Sequence, residues 1–323
     1  MDYAVGQFCK LTSTSCKIVV QRTLIHLFYH DTFVLPLPEG HRFPMDKYAL
    51  LRRRVVERRL VPPGRVQLAP AGTDSQLLLA HSPDYLERVK NGTLSPQEIR
   101  RIGFPWSPQM VERAKRSVGS TIAAGRVALF EGVGVNLAGG THHAFRDMGQ
   151  GYCVFNDSAV AARTLQAEGL VKRVVILDCD VHQGNGTAAI LADDPTIFTF
   201  SIHGAKNFPF HKEQSNLDIA LPDGTGDDDY LAALQGGLGQ AIGAAQADLA
   251  IYLAGADPYK ADRLGRLALS KEGLAARDQM VFAACRTAGL PVAVTMAGGY
   301  ARQLEDVVDI HFRTIELATQ FGG

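Results

Sequence analysis

Short, almost uninterrupted apolar runs rich in Val and Ile recur along the chain at residues 24–29, 133–137, 174–177, 197–202, 249–253 and 292–296. Runs of this length with no polar alternation read as strands covered on both faces. Between them lie longer Ala- and Leu-rich segments with helical spacing, at 107–131, 157–168, 230–246 and 271–288, several opening on Ser or an acidic residue. The alternation predicts an α/β chain: a single-domain, three-layer αβα architecture around a mainly parallel central sheet. Residues 1–23 are polar and Ser/Thr-rich around 12–15. They read as a loose N-terminal extension ahead of one domain over 24–323.

The chemistry sits in the segments just after these runs. They are Gly139-Gly140-Thr141-His142-His143, Asp178-Cys179-Asp180-Val181-His182, His203-Gly204, Gly255-Ala256-Asp257-Pro258 and Gly298-Gly299-Tyr300. Polar, glycine-flanked residues thus repeatedly sit just past the carboxyl ends of strands, the edge where open parallel sheets bind ligands. In the second segment Asp178, Asp180 and His182 occupy alternate positions, so extended backbone would project them to one side. Two carboxylates and an imidazole suit a catalytic zinc or iron ion, which needs three protein ligands and an open position. Asp257 is the candidate third ligand beside Asp180 and His182, although Asp before Pro is equally a helix cap. The His142-His143 pair supplies general acid/base candidates, because imidazole titrates nearest neutral pH. Tyr300 is a candidate hydrogen-bond donor to a developing oxyanion.

Charge and cysteine content narrow the setting. With 33 basic and 33 acidic residues the chain is formally neutral, which gives no bulk electrostatic support for direct nucleic-acid binding. The five cysteines are scattered and odd in number, as expected for reduced thiols in a cytoplasmic protein. No apolar stretch approaches the ~20 residues of a membrane span. The basic run Arg52, Arg53, Arg54, Arg58 and Arg59, broken by Glu57 and apolar residues, reads as a solvated helix face.

Taken together, Gly139 to Phe145, Gly151 to Asp157, Asp178 to Gly186, Gly255 to Pro258 with Asp262 to Gly265, and Gly298 to Tyr300 resemble the signature blocks of the zinc-dependent histone deacetylase family. Segments 35–45 and 206–210 look most like its compact bacterial or acetoin-utilization-type branch. The resemblance implies the arginase/deacetylase fold and hydrolysis of acyl-lysine in a protein or peptide. It assigns zinc to Asp180, His182 and Asp257, proton transfer to His142 and His143, and oxyanion stabilisation to Tyr300. By the same likeness Asp178 supports His142, and Asp178 with Ser201 holds a structural potassium ion. Asn185 stands where many members carry an aspartate behind the second histidine, which leaves His143 more readily neutral. The substrate tunnel is then lined by Gly151, Tyr152, Phe208 and Leu264. Tyr152 replaces a phenylalanine common in relatives. Leu264 replaces the acidic gatekeeper of members that act on polyamines, so acyl-lysine is favoured over acetylpolyamine or another small amine. A metal-holding reader or scaffold is the alternative of a different class, and retention of Tyr300 argues against it. A binuclear arginase-like hydrolase is disfavoured because no second ligand set is evident.

Overall fold

The computed structural model describes residues 25–321. The extension expected over 1–23 lies outside the described residues. Eight strands form one sheet: β1 (His26–Tyr29), β2 (Val66–Leu68), β3 (Val133–Asn136), β4 (Val174–Asp178), β5 (Ile197–Gly204), β6 (Leu217–Leu221), β7 (Leu249–Leu253) and β8 (Val292–Thr295). Their order is β2-β1-β3-β8-β7-β4-β5-β6. Every adjacent pair is parallel. The α/β fold with a parallel central sheet is therefore as expected.

Ten α-helices accompany the sheet among the described residues: α1 (Lys47–Glu57), α2 (Asp74–Leu77), α3 (Pro83–Asn91), α4 (Pro96–Ile102), α5 (Pro108–Glu131), α6 (Asp157–Ala167), α7 (Asn185–Leu191), α8 (Asp227–Ala245), α9 (Lys271–Thr287) and α10 (Leu304–Phe321). One helical group pairs α5 with α6, and α5 packs on β1, β3 and β8; the other runs from α8 through α9 to α10, with α8 on β4, β5 and β6. Every residue of β3, β4, β7 and β8 is consequently buried. That is why these four strands read as apolar runs.

Local signals set the helix starts. Ser107 caps α5 by accepting from the Met110 amide ahead of Pro108, Asn156 caps α6 through the Ala159 amide, and Ser270 caps α9 through the Gly273 amide. Helix α8 begins earlier than the apolar spacing predicted, at Asp227, because Asp227, Asp228 and Asp229 favour a helix N-terminus. Arg52, Arg53 and Arg54 of the basic run lie on α1, while Arg58 and Arg59 fall just past its end; Arg52, Arg53, Arg58 and Arg59 are exposed as expected. Arg54 differs: it ion-pairs with Glu305 and Asp309 and ties α1 to α10. No helix among the described residues is long and apolar enough to cross a membrane.

Strands β3, β8, β7 and β4 lie side by side and point the same way, so the loops leaving them meet at one sheet edge. Those loops carry residues 139–143, 298–300, 255–258 and 179–182.

Candidate metal centre and active-site cavity

Strand β4 ends at Asp178, and the extended geometry expected through His182 does not persist. The cause is local. The Asp178 carboxylate accepts the Asp180 amide at 3.1 Å, and the Asp180 carboxylate accepts the His182 amide at 3.0 Å. Two successive side-chain-to-backbone turns thus replace the strand. They bring Asp180 and His182 together, while Asp178 turns aside to His142.

Asp180 Oδ1 lies 2.9 Å and Asp257 Oδ2 3.2 Å from His182 Nδ1. One ligand atom from each of the three residues falls within 4.8 Å of the others, and all three residues are buried. Asp257 Oδ1 accepts the Val181 amide at 2.9 Å, whereas its buried Oδ2 lies against the His182 ring without a hydrogen bond of good geometry. A buried carboxylate oxygen left in this state calls for a cation. Burial disfavours charge on His182, yet Asp180 and Asp257 overcome it and push the imidazole up to about 10. Two hard oxygens and one imidazole nitrogen fit a divalent ion such as zinc or iron. The loop after β8 leaves room for it: the Gly298 amide donates to Asp180 Oδ2 at 2.8 Å, and a Cβ there would lie 1.9 Å from Asp257 Oδ2.

The two histidines beside this centre differ in electrostatics. His142 Nδ1–H donates to Asp178 Oδ2 at 2.6 Å. Burial opposes its charge, but Asp178 and Asp180 raise the ring to about 9, so it is cationic at neutral pH. His143 Nδ1–H donates to Asn185 Oδ1 at 2.8 Å, which leaves Nε2 as the free acceptor. Burial and the neighbouring His142 and His182 hold His143 well below the usual imidazole range. It is a neutral base. Tyr300 is buried, and burial with Asp257 and Asp180 nearby pushes its phenol well above the ordinary value, so it stays protonated as a donor.

Several supporting residues were not singled out from the sequence. Asp157, fully buried at the start of α6, accepts the amides of Gly140 (3.0 Å) and Thr141 (2.7 Å) and so fixes the loop that carries both histidines. Asp262 accepts the Leu264, Gly265 and Tyr300 amides at 2.8, 2.9 and 2.6 Å. Arg277, fully buried on α9, donates to the Gly255 carbonyl at 2.5 Å and the Cys179 carbonyl at 3.3 Å, and pairs with Asp278 at 2.7 Å. It joins the loops that present Asp180 and Asp257. An Arg with an acidic neighbour on an apolar helix was the only sequence trace of this network.

A cavity of about 610 Å³ opens onto the centre, with His143, His182 and Tyr300 at its floor and Gly151, Tyr152, Phe208 and Leu264 on its walls. The Phe208 ring stands edge-on to His143, with centroids 4.9 Å apart. Gly151 has φ +56°, and a Cβ there would lie 2.7 Å from His143 Cδ2. Tyr152 also adopts positive φ, +66°, and its ring packs against Phe43 and Tyr300. Ser201 lies opposite Asp178 in the β4–β5 ladder, its hydroxyl 2.9 Å from His203 Nδ1.

An all-parallel sheet carries an Asp–His–Asp cluster that could hold a metal ion at the carboxyl edge of its central strands, and comparison with known proteins gives the family. The histone deacetylase domain model matches residues 41–315, and the chain belongs to that family. It is 46% identical over 283 residues to an uncharacterised protein of Picosynechococcus, covering 88% of this chain and 94% of that one. A histone deacetylase-like amidohydrolase of Pseudomonas aeruginosa is 34% identical, with 73% of this chain and 67% of the relative covered. Among solved structures, a histone deacetylase homologue of Aquifex aeolicus superposes with a TM-score of 0.78 at 23% identity, over 93% of this chain and 84% of that one.

Proposed function

We propose that this protein is a metal-dependent lysine deacylase, hydrolysing the acyl amide of acyl-lysine in a protein or peptide, and that residues from 24 onward form its catalytic domain. The observation that carries the reading is the convergence of Asp180, His182 and Asp257 beside His143 and Tyr300 at the floor of one cavity. Asp180, His182 and Asp257 would hold a zinc or iron(II) ion, which would supply Lewis acidity toward the acyl carbonyl and lower the pKa of water toward neutrality. His143 Nε2 takes the proton as the water oxygen adds to the carbonyl carbon. It then returns the proton to the lysine nitrogen as the C–N bond breaks. Asn185 holds the tautomer this requires, since its carbonyl keeps the proton on Nδ1. His142, cationic beside Asp178, adds positive charge next to the developing oxyanion, and the Tyr300 phenol donates to it. The hard-oxygen pair Asp178 and Ser201 suits a structural potassium ion.

Acetylpolyamine hydrolysis is the competing reading. Leu264 and a lining that contains no Asp or Glu leave a second ammonium without a partner. The test is turnover of fluorogenic acyl-lysine peptides and acetylated polyamines by zinc-loaded protein, with Tyr300→Phe and His143→Ala in parallel. Peptide turnover, lost or reduced at least ~100-fold in both variants, is expected. Turnover of polyamines alone, or of no substrate despite bound zinc, would overturn the proposal.

A further inference from the structure

The mouth of the cavity is charged in one sense only. Arg42, Arg100, Arg101, Lys206 and Arg266 line it, and no Asp or Glu does. Across the whole chain basic and acidic residues are equal at 33 each, so composition does not explain the imbalance. The cations come from separate places: the loop before α1, helix α4, the loop after β5, and the loop beyond Leu264. All of them are exposed.

Most of this charge is unspent. Arg266 meets Asp223 at 3.2 Å, and among the described residues the Arg101 side chain meets only the Met148 sulfur. Arg42, Arg100 and Lys206 side chains have no carboxylate partner among the described residues. The nearby Asp262 is consumed by three backbone amides. Cations gathered around an opening raise the local potential and repel one another until a counter-charge arrives. Phe210, 83% exposed at the same mouth, offers an apolar contact beside them.

Deeper in, the wall changes character. Gly151, Tyr152, Phe208 and Leu264 present apolar and aromatic surface, suited to a neutral acyl-alkyl chain. The anionic groups must therefore sit outside the tunnel, on the residues next to the acyl-lysine. We propose that the mouth selects acyl-lysines flanked by Asp or Glu, and selects against basic tails. This rests on the deacylase reading and specifies its substrate class.

The experiment compares zinc-loaded protein on three peptides of equal length, each with one acetyl-lysine flanked by Glu, Gln or Lys. At low salt kcat/KM should fall in the order Glu, Gln, Lys, with at least ~10-fold between the extremes. At about 0.5 M salt the spread should shrink to within ~3-fold, because exposed charges are screened. Arg100→Glu/Arg101→Glu should reverse the order, and Lys206→Glu, on a different loop, should compress it independently. Equal turnover of all three peptides would overturn this inference alone and leave the deacylase reading standing. No peptide turnover would overturn both. Two further arms identify a different anion. If succinyl-lysine in the Gln-flanked peptide outpaces acetyl-lysine while the flanks have no effect, the carboxylate belongs to the acyl chain. If a 20-mer oligonucleotide blocks turnover of all three peptides equally, the mouth binds phosphate. Either result refutes selection by acidic flanks.

Discussion

Gly298→Ala tests the candidate metal centre separately from the rest of the fold. A Cβ at this position would lie 1.9 Å from Asp257 Oδ2 and 2.6 Å from Asp180 Oδ2, where ordinary contact begins at 3.4 Å. Asp257 must retreat by at least 1.5 Å, the difference between 3.4 and 1.9 Å. Metal–ligand distances tolerate about 0.2 Å. Loss of a supporting residue alone costs about 10- to 100-fold in affinity, so displacing a ligand should weaken zinc binding by more than about 100-fold. Zinc at ~100 times Kd stabilises the native state by about 2.7 kcal/mol, which for a chain of this size raises Tm by about 4 °C. With affinity 100-fold weaker the same zinc contributes about 0.4 kcal/mol, and the rise falls below about 1 °C. Overpacking lowers the zinc-free Tm as well, by about 1–3 kcal/mol of stability. The assay is therefore the zinc-induced increment, measured by calorimetry on each protein with and without metal, beside a chelator competition for Kd. A variant that binds zinc within ~3-fold of the parent would refute the assignment of Asp180 and Asp257 as ligands crowded against this glycine.

Substitutions at Arg277 with its partner Asp278, and at Asn185, test other parts of the site. Arg277→Met leaves Asp278 buried without its cation and should destabilise the protein by about 3–5 kcal/mol in urea melts; adding Asp278→Asn should recover part of that loss, and strict additivity would show that the pair is not coupled. Asn185→Asp places a carboxylate on His143 Nδ1, which favours the charged ring and raises a pKa now held low by burial and two neighbouring histidines. The neutral base is then available only at higher pH, so the acidic limb of the kcat/KM profile should move up; an unmoved limb would show that His143 is not the group being titrated.

The legible and illegible parts of this molecule divide along physical lines. Central strands β3, β4, β7 and β8 are buried on both faces, so their sequences are apolar almost throughout and announce themselves. Edge strands β2 and β6 are partly exposed, and their mixed character hid them. At the site, glycines and polar groups past strand ends marked the right loops, because a parallel sheet must gather those ends. The reason given for convergence at Asp180 and His182 was mistaken: turns made by the aspartates themselves bring these side chains together. Asp157, Asp262 and Arg277 act chiefly on backbone amides and carbonyls. Asp157 and Asp262 lie inside the quoted blocks but carried no role there, because their partners, like the Gly255 carbonyl that Arg277 meets, are backbone groups that belong to no residue type.

The position of β8 has a consequence for biosynthesis. It is the last strand to be synthesised among the described residues, yet it sits between β3 and β7 in the middle of the sheet. Until Val292–Thr295 leaves the ribosome, β3 and β7 each present an unpaired, largely apolar edge, the kind of surface that aggregates or recruits chaperones. Gly298 and Tyr300, which flank the candidate metal centre, arrive only after that strand. A nascent chain stalled before it holds Asp180, His182 and Asp257 but not the insertion that closes the sheet around them, so competence is acquired late and all at once.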